Sequence, residues 1–183
     1  MKKLVLHPRD PSTVFLNKVY ENLDLDEVTL VQGNVSKNQL RELIASHDQV
    51  MMLGHGTGAG LLSVGQFPGA PLYIIDDSFA PLLAEKNHSV YIWCHADQFV
   101  TRHHLRGFFT GMFVSEVAEA SLMGLGSTTQ REVDESNNSF VEIVGEFSGH
   151  GPHLMHAAAR HKYGHIARYN HVAKYNHARL FIS

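Results

Sequence analysis

One cysteine and one histidine stand out in this sequence because each follows a short apolar segment. His55, in the loop Gly54-His55-Gly56, follows the apolar residues 50–53, and Cys94, the only cysteine, follows residues 90–93. A nucleophilic cysteine needs a base that takes its proton and hydrogen-bond donors that stabilise the developing oxyanion. A histidine ring titrates close to neutral pH, which suits the role of base. These residue types therefore predict a cysteine–histidine site.

Two buried strands would bring the pair together. Each apolar run is long enough for a buried strand, and ligands of open α/β sheets bind at the carboxyl ends of the strands. Gly56 has no Cβ atom, so its backbone N–H can approach a substrate oxygen closely. His95 is adjacent to Cys94, but neighbouring residues of a strand point to opposite faces. We therefore expect His55 to be the partner of Cys94.

The first part of the chain predicts alternating strands and helices. Asp10 and Pro11 are typical of a helix start, and Ser36 with Gln39 forms a capping-box pattern before a second helix. Strands are expected at residues 3–6, 27–31 and 50–53. This alternation is typical of an α/β fold, with a mainly parallel sheet and helices on both faces.

The remainder of the chain has weaker patterns. Residues 61–75 predict a β-hairpin, with its turn at Pro68-Gly69, and a short helix follows. Apolar residues at helical spacing over 109–120 predict a long helix. Residues 126–138 are polar and predict a loop, and residues 178–182 predict a last strand.

Length and composition predict one domain, residues 1–183, with a core over about residues 3–123 and a helical C-terminal extension over 124–183. The formal net charge of -3 gives no indication of a nucleic-acid partner or an anionic membrane surface. The apolar runs are too short to span a membrane, and residues 4–6 are too few for a signal peptide. A single cysteine permits no internal disulfide, so we expect a cytoplasmic protein.

The arrangement around His55 and Cys94 resembles the caspase-like cysteine peptidases, the group of caspases, gingipains, legumains and separases. The resemblance consists of an apolar strand that ends in His55-Gly56, a hairpin with a short helix, and a second apolar strand that ends in the cysteine. It implies a caspase-like three-layer sandwich and a catalytic Cys94–His55 dyad. The implied oxyanion donors are the backbone N–H groups of Gly56 and Cys94. We expect a peptide or protein substrate, and no cofactor.

Two other functions fit parts of the sequence. A non-catalytic caspase-like module would bind a peptide or protein partner, and the bulky Trp93 before Cys94 favours it by crowding the substrate path. The glycine-rich residues 54–59 also match the dinucleotide-binding pattern, with Asp76 at the spacing of a ribose-binding carboxylate. That motif requires a helix directly after the glycines, whereas glycines and prolines interrupt residues 65–71. Nucleotide binding is therefore the weaker alternative.

Histidines are abundant near the end of the sequence. His161 and His165 are four residues apart and would share a helix face, a spacing that can chelate zinc. No cysteine or carboxylate accompanies them at close spacing, so we expect a solvated basic helix and no metal site. The histidines of this segment are His150, His153, His156, His161, His165, His171 and His177.

Overall fold

A central β-sheet organises the computed structural model, which describes residues 1–24 and 26–183. The strands are β1 (Lys3–Leu6), β2 (Val28–Val31), β3 (Gln49–Leu53), β4 (Gly56–Thr57), β5 (Gly60–Leu62), β6 (Tyr73–Ile75), β7 (Ser89–Ile92), β8 (Gly107–Thr110) and β9 (Leu180–Ile182). Within the described residues, six strands form one sheet in the order β2-β1-β3-β7-β8-β9. Its neighbouring strands are parallel, apart from the antiparallel pair β8 and β9. The predicted mainly parallel sheet is confirmed, and its last strand makes it mixed.

Helices cover both faces of this sheet, as predicted. The α-helices are α1 (Lys37–Ser46), α2 (Ala80–Ala84), α3 (Ala96–Arg102), α4 (Val117–Leu122), α5 (Gln130–Glu146), α6 (Pro152–Ala158), α7 (Gly164–Ile166) and α8 (His171–His177). Residues of α1, α2 and α3 pack in one hydrophobic core, and residues of α5, α6 and α8 pack in another. Leu4 and Leu6 of β1 enter the first core and Val5 enters the second, because successive side chains of a strand point to opposite faces.

Local sequence explains where two of the early helical segments begin. Ser36 and Gln39 form the predicted capping box at the start of α1. Asp10 accepts a hydrogen bond from the Ser12 N–H and starts the segment Pro11–Val19, which is a 3-10 helix. The buried side chains of Leu16 and Val19 attach this 3-10 helix to the second core.

A small antiparallel sheet stands beside the main one. It has the order β4-β5-β6, and the pairing of β5 with β6 confirms the hairpin predicted for residues 61–75. Gly60 allows the close approach of β5 to β6, since a Cβ atom there would lie 1.9 Å from the Ile75 carbonyl oxygen.

The long helix predicted over residues 109–120 is wrong. Residues Gly107–Thr110 form β8, and α4 starts only at Val117. A fully buried strand is apolar on both faces, so the adjacent Phe108 and Phe109 fit a strand as well as a helix. Gly107 is required where β8 passes β7, because a Cβ atom there would lie 2.0 Å from the Ser89 carbonyl oxygen.

The last third of the chain contributes to the second core. The loop predicted over residues 126–138 is wrong, because α5 begins at Gln130 after a capping box formed by Thr129 and Glu132. Phe140 of α5 is fully buried. The last strand predicted over residues 178–182 is present as β9, whose pairing with β8 extends to hydrogen bonds between Gly107 and Ser183.

Candidate active site

Two neighbouring strand ends position His55 and Cys94. In the register of the parallel pair β3 and β7, Leu53 lies opposite Ile92, and the Gly54 N–H donates to the Ile92 carbonyl oxygen at 3.0 Å. His55 and Cys94 each follow these paired residues by two positions. Both side chains therefore leave the sheet at the same carboxyl edge, where ligands of open α/β sheets bind.

The two side chains line one small cavity, which we call the thiol cavity. Its lining includes Leu16, His55, Ile92, Cys94, Phe113 and Ser115. Its volume is about 20 Å³. Since a single water needs about 10–15 Å³, the thiol cavity has room for one water and for no part of a peptide. A substrate has to bind at its rim or displace its walls.

The Cys94 thiol is protonated in the free protein. Its sulfur donates a hydrogen bond to the Phe113 carbonyl oxygen at 3.4 Å. Burial raises the pKa of Cys94 to about 11, and the negative charge of Glu119 acts in the same direction. No hydrogen bond joins this thiol to His55 in the part of the chain that the structure describes.

The His55 ring is held from its other side by a serine and an aspartate. His55 Nε2 lies 2.6 Å from Ser12 Oγ and 3.5 Å from Asp10 Oδ1. The Ser12 hydroxyl and backbone N–H both donate to Asp10, and these two bonds hold the pKa of Asp10 below its usual value. Asp10 is therefore ionised at neutral pH and uses the only proton of the Ser12 hydroxyl.

This hydrogen-bond direction fixes the tautomer of His55. The Ser12 hydroxyl already donates its hydrogen bond to Asp10, so its oxygen can only accept from the His55 ring. Nε2 of His55 therefore carries the hydrogen. The neutral ring then has its free lone pair on Nδ1, which is the form that can accept a proton from a thiol. A serine triad is arranged differently, because its carboxylate binds the ring nitrogen remote from the serine.

The backbone N–H groups of Gly56 and Cys94 are the donors that the resemblance implies for an oxyanion. The Leu62 N–H donates to the His55 carbonyl oxygen at 2.8 Å, and Gly56 follows at the next position, opposite Leu61. Hydrogen-bonded and non-bonded pairs alternate along an antiparallel ladder, so the Gly56 N–H points away from β5. The Cys94 N–H, beyond the end of β7, makes no hydrogen bond to the described residues. Both N–H groups are therefore without a backbone acceptor among the described residues.

Trp93 packs against Gly56 and explains why this position needs a glycine. A Cβ atom at Gly56 would lie 2.1 Å from Trp93 Cδ1. The indole is buried, and its Nε1 donates to the Thr57 carbonyl oxygen at 3.0 Å. Trp93 therefore fixes the loop that carries His55 rather than projecting into solvent over Cys94.

His95 lies outside the strand from which its direction was predicted. β7 ends at Ile92, and His95 precedes α3 in a left-handed conformation with φ 64°. Its Nδ1 lies 3.3 Å from Gln98 Nε2. The alternation of a strand does not apply to a turn, so it does not distinguish His55 from His95 as the partner of Cys94.

The two remaining sequence motifs have other structural roles. The glycine-rich loop continues into the hairpin of β4 and β5 instead of a helix, and Asp76 forms an ion pair with Lys37. The rings of His161 and His165 lie 5.3 Å apart. Across residues 1–24 and 26–183, no group of three or more potential metal-binding side chains is placed to hold an ion.

Sequence reasoning missed Asp10 and Ser12 as parts of the site. The signal was present, because β1 pairs directly with β3 and its carboxyl end therefore meets the same sheet edge. By sequence pattern alone, Asp10 indicates only a helix cap, a role that it also has.

No protein-family model, curated protein or solved structure matches this chain. Each helix in the described residues is too short or too polar to cross a membrane.

Proposed function

We propose that this chain is a cysteine peptidase or peptidase-like hydrolase of the caspase-like type, with Cys94 as nucleophile and His55 as base. The observation that carries the proposal is the position of the pair at adjacent strand ends, with both side chains in the wall of the thiol cavity. The substrate would be a peptide or protein, bound across the rim of this cavity.

In the proposed reaction, His55 Nδ1 takes the thiol proton while the Cys94 sulfur bonds to a peptide carbonyl carbon. The carbonyl electron pair moves to its oxygen, which accepts hydrogen bonds from the N–H groups of Gly56 and Cys94. The C–N bond then breaks, and His55 gives its proton to the leaving amine. Water adds to the thioester, which releases the carboxylic acid and returns a proton to the sulfur.

The raised pKa of Cys94 makes the base essential to this mechanism. A thiol with a pKa of about 11 is almost fully protonated at neutral pH, so the proton has to be transferred as the sulfur attacks. Ser12 and Asp10 act as positioning residues, because they hold the His55 hydrogen on Nε2 and leave Nδ1 free.

A second candidate function is a non-catalytic module that binds a peptide or protein through the same face. The small volume of the thiol cavity and the protonated thiol favour it, because neither feature activates a nucleophile in the free protein. The two candidates differ in one measurable property, the reactivity of Cys94 toward a bound peptide electrophile.

A panel of peptidyl acyloxymethyl ketones tests the choice. Intact-mass spectrometry should find one covalent adduct, which must be on Cys94 because the chain has 1 cysteine. His55→Gln should slow labelling by about 100-fold or more, the range expected for loss of a general base. The surface variant His150→Gln is the control and should react like the wild type. A thiol that reacts only after denaturation would eliminate the hydrolase and leave the binding module.

A further inference from the structure

The loop that carries His55 continues into a very small hairpin. β4 and β5 pair at two positions, and Gly58 and Ala59 form the turn between them. β6 pairs with β5 on its other side, so β4 is an edge strand of this small sheet. So short a two-stranded pairing is marginally stable by itself in water. In the proposed reaction the loop presents the His55 ring and the Gly56 N–H, and contacts from outside the hairpin have to hold both groups in place.

The helix that follows Cys94 supplies such contacts. α3 starts at Ala96, and Gln98 and Arg102 lie four residues apart, which places them on one face of the helix. A Cβ atom at Gly58 would lie 2.2 Å from Gln98 Oε1, so this face packs closely on the turn of the hairpin. Arg102 Nη2 donates to the Gly58 carbonyl oxygen at 2.5 Å. α3 therefore connects the strand end of the proposed nucleophile with the loop of the proposed base.

Asp77 holds the guanidinium of Arg102 in this position. Asp77 Oδ1 lies 3.3 Å from Arg102 Nη2 and 2.9 Å from His103 Nε2. The His103 ring packs on Phe99, with 4.8 Å between the ring centroids. The side chains of Arg102 and Asp77 are 49% and 67% exposed. Because an ion pair so exposed adds little to stability, its contribution is the direction that it gives to the guanidinium.

We propose that Arg102 is a positioning residue that sets the place of His55 and of the Gly56 N–H relative to Cys94. The inference rests on the proposed function, in which these groups act together. Arg102 does not line the thiol cavity, and it acts through the Gly58 carbonyl oxygen. Without this hydrogen bond the turn is free to shift, and a displacement of about 1 Å between reacting groups can slow a reaction by about 100-fold.

Labelling by a peptidyl acyloxymethyl ketone measures this role. In Arg102→Gln the maximal labelling rate should fall by about tenfold or more, whereas the half-saturating ketone concentration should change by less than about twofold, because Arg102 does not contact the substrate. Arg102→Lys keeps a cationic donor for the Gly58 carbonyl oxygen and should recover most of the rate. The matched control is Arg106→Gln, which should react like the wild type because exposed Arg106 donates to Asn87 instead.

The same variants distinguish positioning from other effects of Arg102. The thermal midpoint of Arg102→Gln should lie within about 2 °C of the wild type, as expected for loss of an exposed ion pair. A larger decrease, with an equally slow Arg102→Lys, would show a merely structural role and overturn the proposal. A change confined to the half-saturating concentration would show direct substrate binding and overturn it too. An equal loss in Arg106→Gln would reveal a general charge effect, with the same consequence.

Asp77→Asn tests the support of the guanidinium. This variant should lower the maximal labelling rate by about threefold in the wild type and cause no further loss in Arg102→Gln, because Asp77 acts through Arg102. Losses that multiply in the double variant would overturn this connection.

Amide hydrogen exchange separates the role of Arg102 from the proposed function. The Leu62 N–H donates to the His55 carbonyl oxygen, and this bond reports how firmly the loop is held. Fragments that contain Leu62 should exchange about fivefold to tenfold faster in Arg102→Gln than in the wild type or in Arg106→Gln. Faster exchange without any labelling of wild-type Cys94 would support Arg102 as the anchor of the loop and end the hydrolase proposal. A labelled wild type, with exchange and labelling unchanged in Arg102→Gln, would retain the hydrolase and overturn the role of Arg102.

Discussion

Phe15 and Ser115 line both the thiol cavity and a larger neighbouring cavity, which we call the acidic cavity because Glu116 and Asp134 also line it. The two cavities differ in size and polarity. The first holds about 20 Å³ around Cys94, and the second holds about 480 Å³ beside Glu116 and Asp134. Low polarity disfavours ions, which is why burial raises the pKa of the Cys94 thiol, whereas an open polar cavity accommodates charge. In the function proposed here, the chemical step takes place at the thiol cavity, whereas the carboxylates of the acidic cavity are exposed to solvent.

The largest difference between the two cavities should appear in the free energy of unfolding of their variants. Trp93 is 1% exposed and lines the thiol cavity, so Trp93→Ala should lower the free energy of unfolding by about 3–5 kcal/mol. Asp134→Asn in the acidic cavity should change it by less than about 0.5 kcal/mol, as for most surface substitutions. Urea unfolding followed by circular dichroism measures both. Similar losses in the two variants would contradict the contrast between a packed cavity and an open one.

Acid should lower the stability of the folded protein through His7, which lies beside the thiol cavity. His7 Nε2 lies 3.2 Å from the hydroxyl of Thr13, which lines this cavity. Burial lowers the pKa of His7 from 6.5 to about 4. Between these values the unfolded chain binds a proton that the folded protein does not. The contribution of His7 to the free energy of unfolding is therefore fully present above the pKa of the unfolded chain. It is lost as the pH decreases from 6.5 toward 4.

Between about pH 7 and about pH 5, the free energy of unfolding should decrease by about 2 kcal/mol because of His7. Urea unfolding of the wild type and His7→Gln at both pH values isolates this contribution, since the variant should lose less stability by that amount. The exposed His150→Gln should retain the full pH dependence. An unchanged pH dependence in His7→Gln would show that His7 does not cause the acid sensitivity.

The smallest effect should be the response of Cys94 to salt. Alkylation of wild-type Cys94 by the neutral reagent iodoacetamide should keep its rate when salt rises from about 0.05 M to about 0.5 M, because ions screen exposed charges and this thiol is buried and protonated. A rate that changes severalfold with salt would indicate a charged, exposed thiol and contradict this description of the thiol cavity.

The sequence was sufficient to predict the sheet edge that carries the candidate site. Apolar runs before His55 and Cys94 predicted strands, and β3 and β7 are indeed neighbours. The adjacent strand β8 was missed, because Phe108 and Phe109 fit a helical pattern equally well. Local periodicity cannot distinguish a strand that is buried on both faces from a segment of buried helix.

The acidic cavity could not be predicted from the sequence. Ser115 and Asn137 are joined only through a tertiary hydrogen bond, and they lie in segments predicted as a helix and a loop. Ser12 comes from a third segment, near the start of the chain. Sites assembled from distant segments depend on packing angles that side-chain periodicity does not encode, whereas His55 and Cys94 follow a rule about strand ends.

The pairing of β8 with β9 affects the order in which the sheet can be completed. β8 ends at Thr110 and β9 begins at Leu180, so most of the helical second core lies between them in the chain. Contacts across such a separation form slowly, because the entropy of a long loop is lost before the contact is gained. Until β9 docks, β8 is an open, aromatic sheet edge of the kind that recruits strands from other molecules. The risk of aggregation through β8 is therefore confined to states in which β9 has not docked, and native β9 covers β8 with an edge strand of only 3 residues.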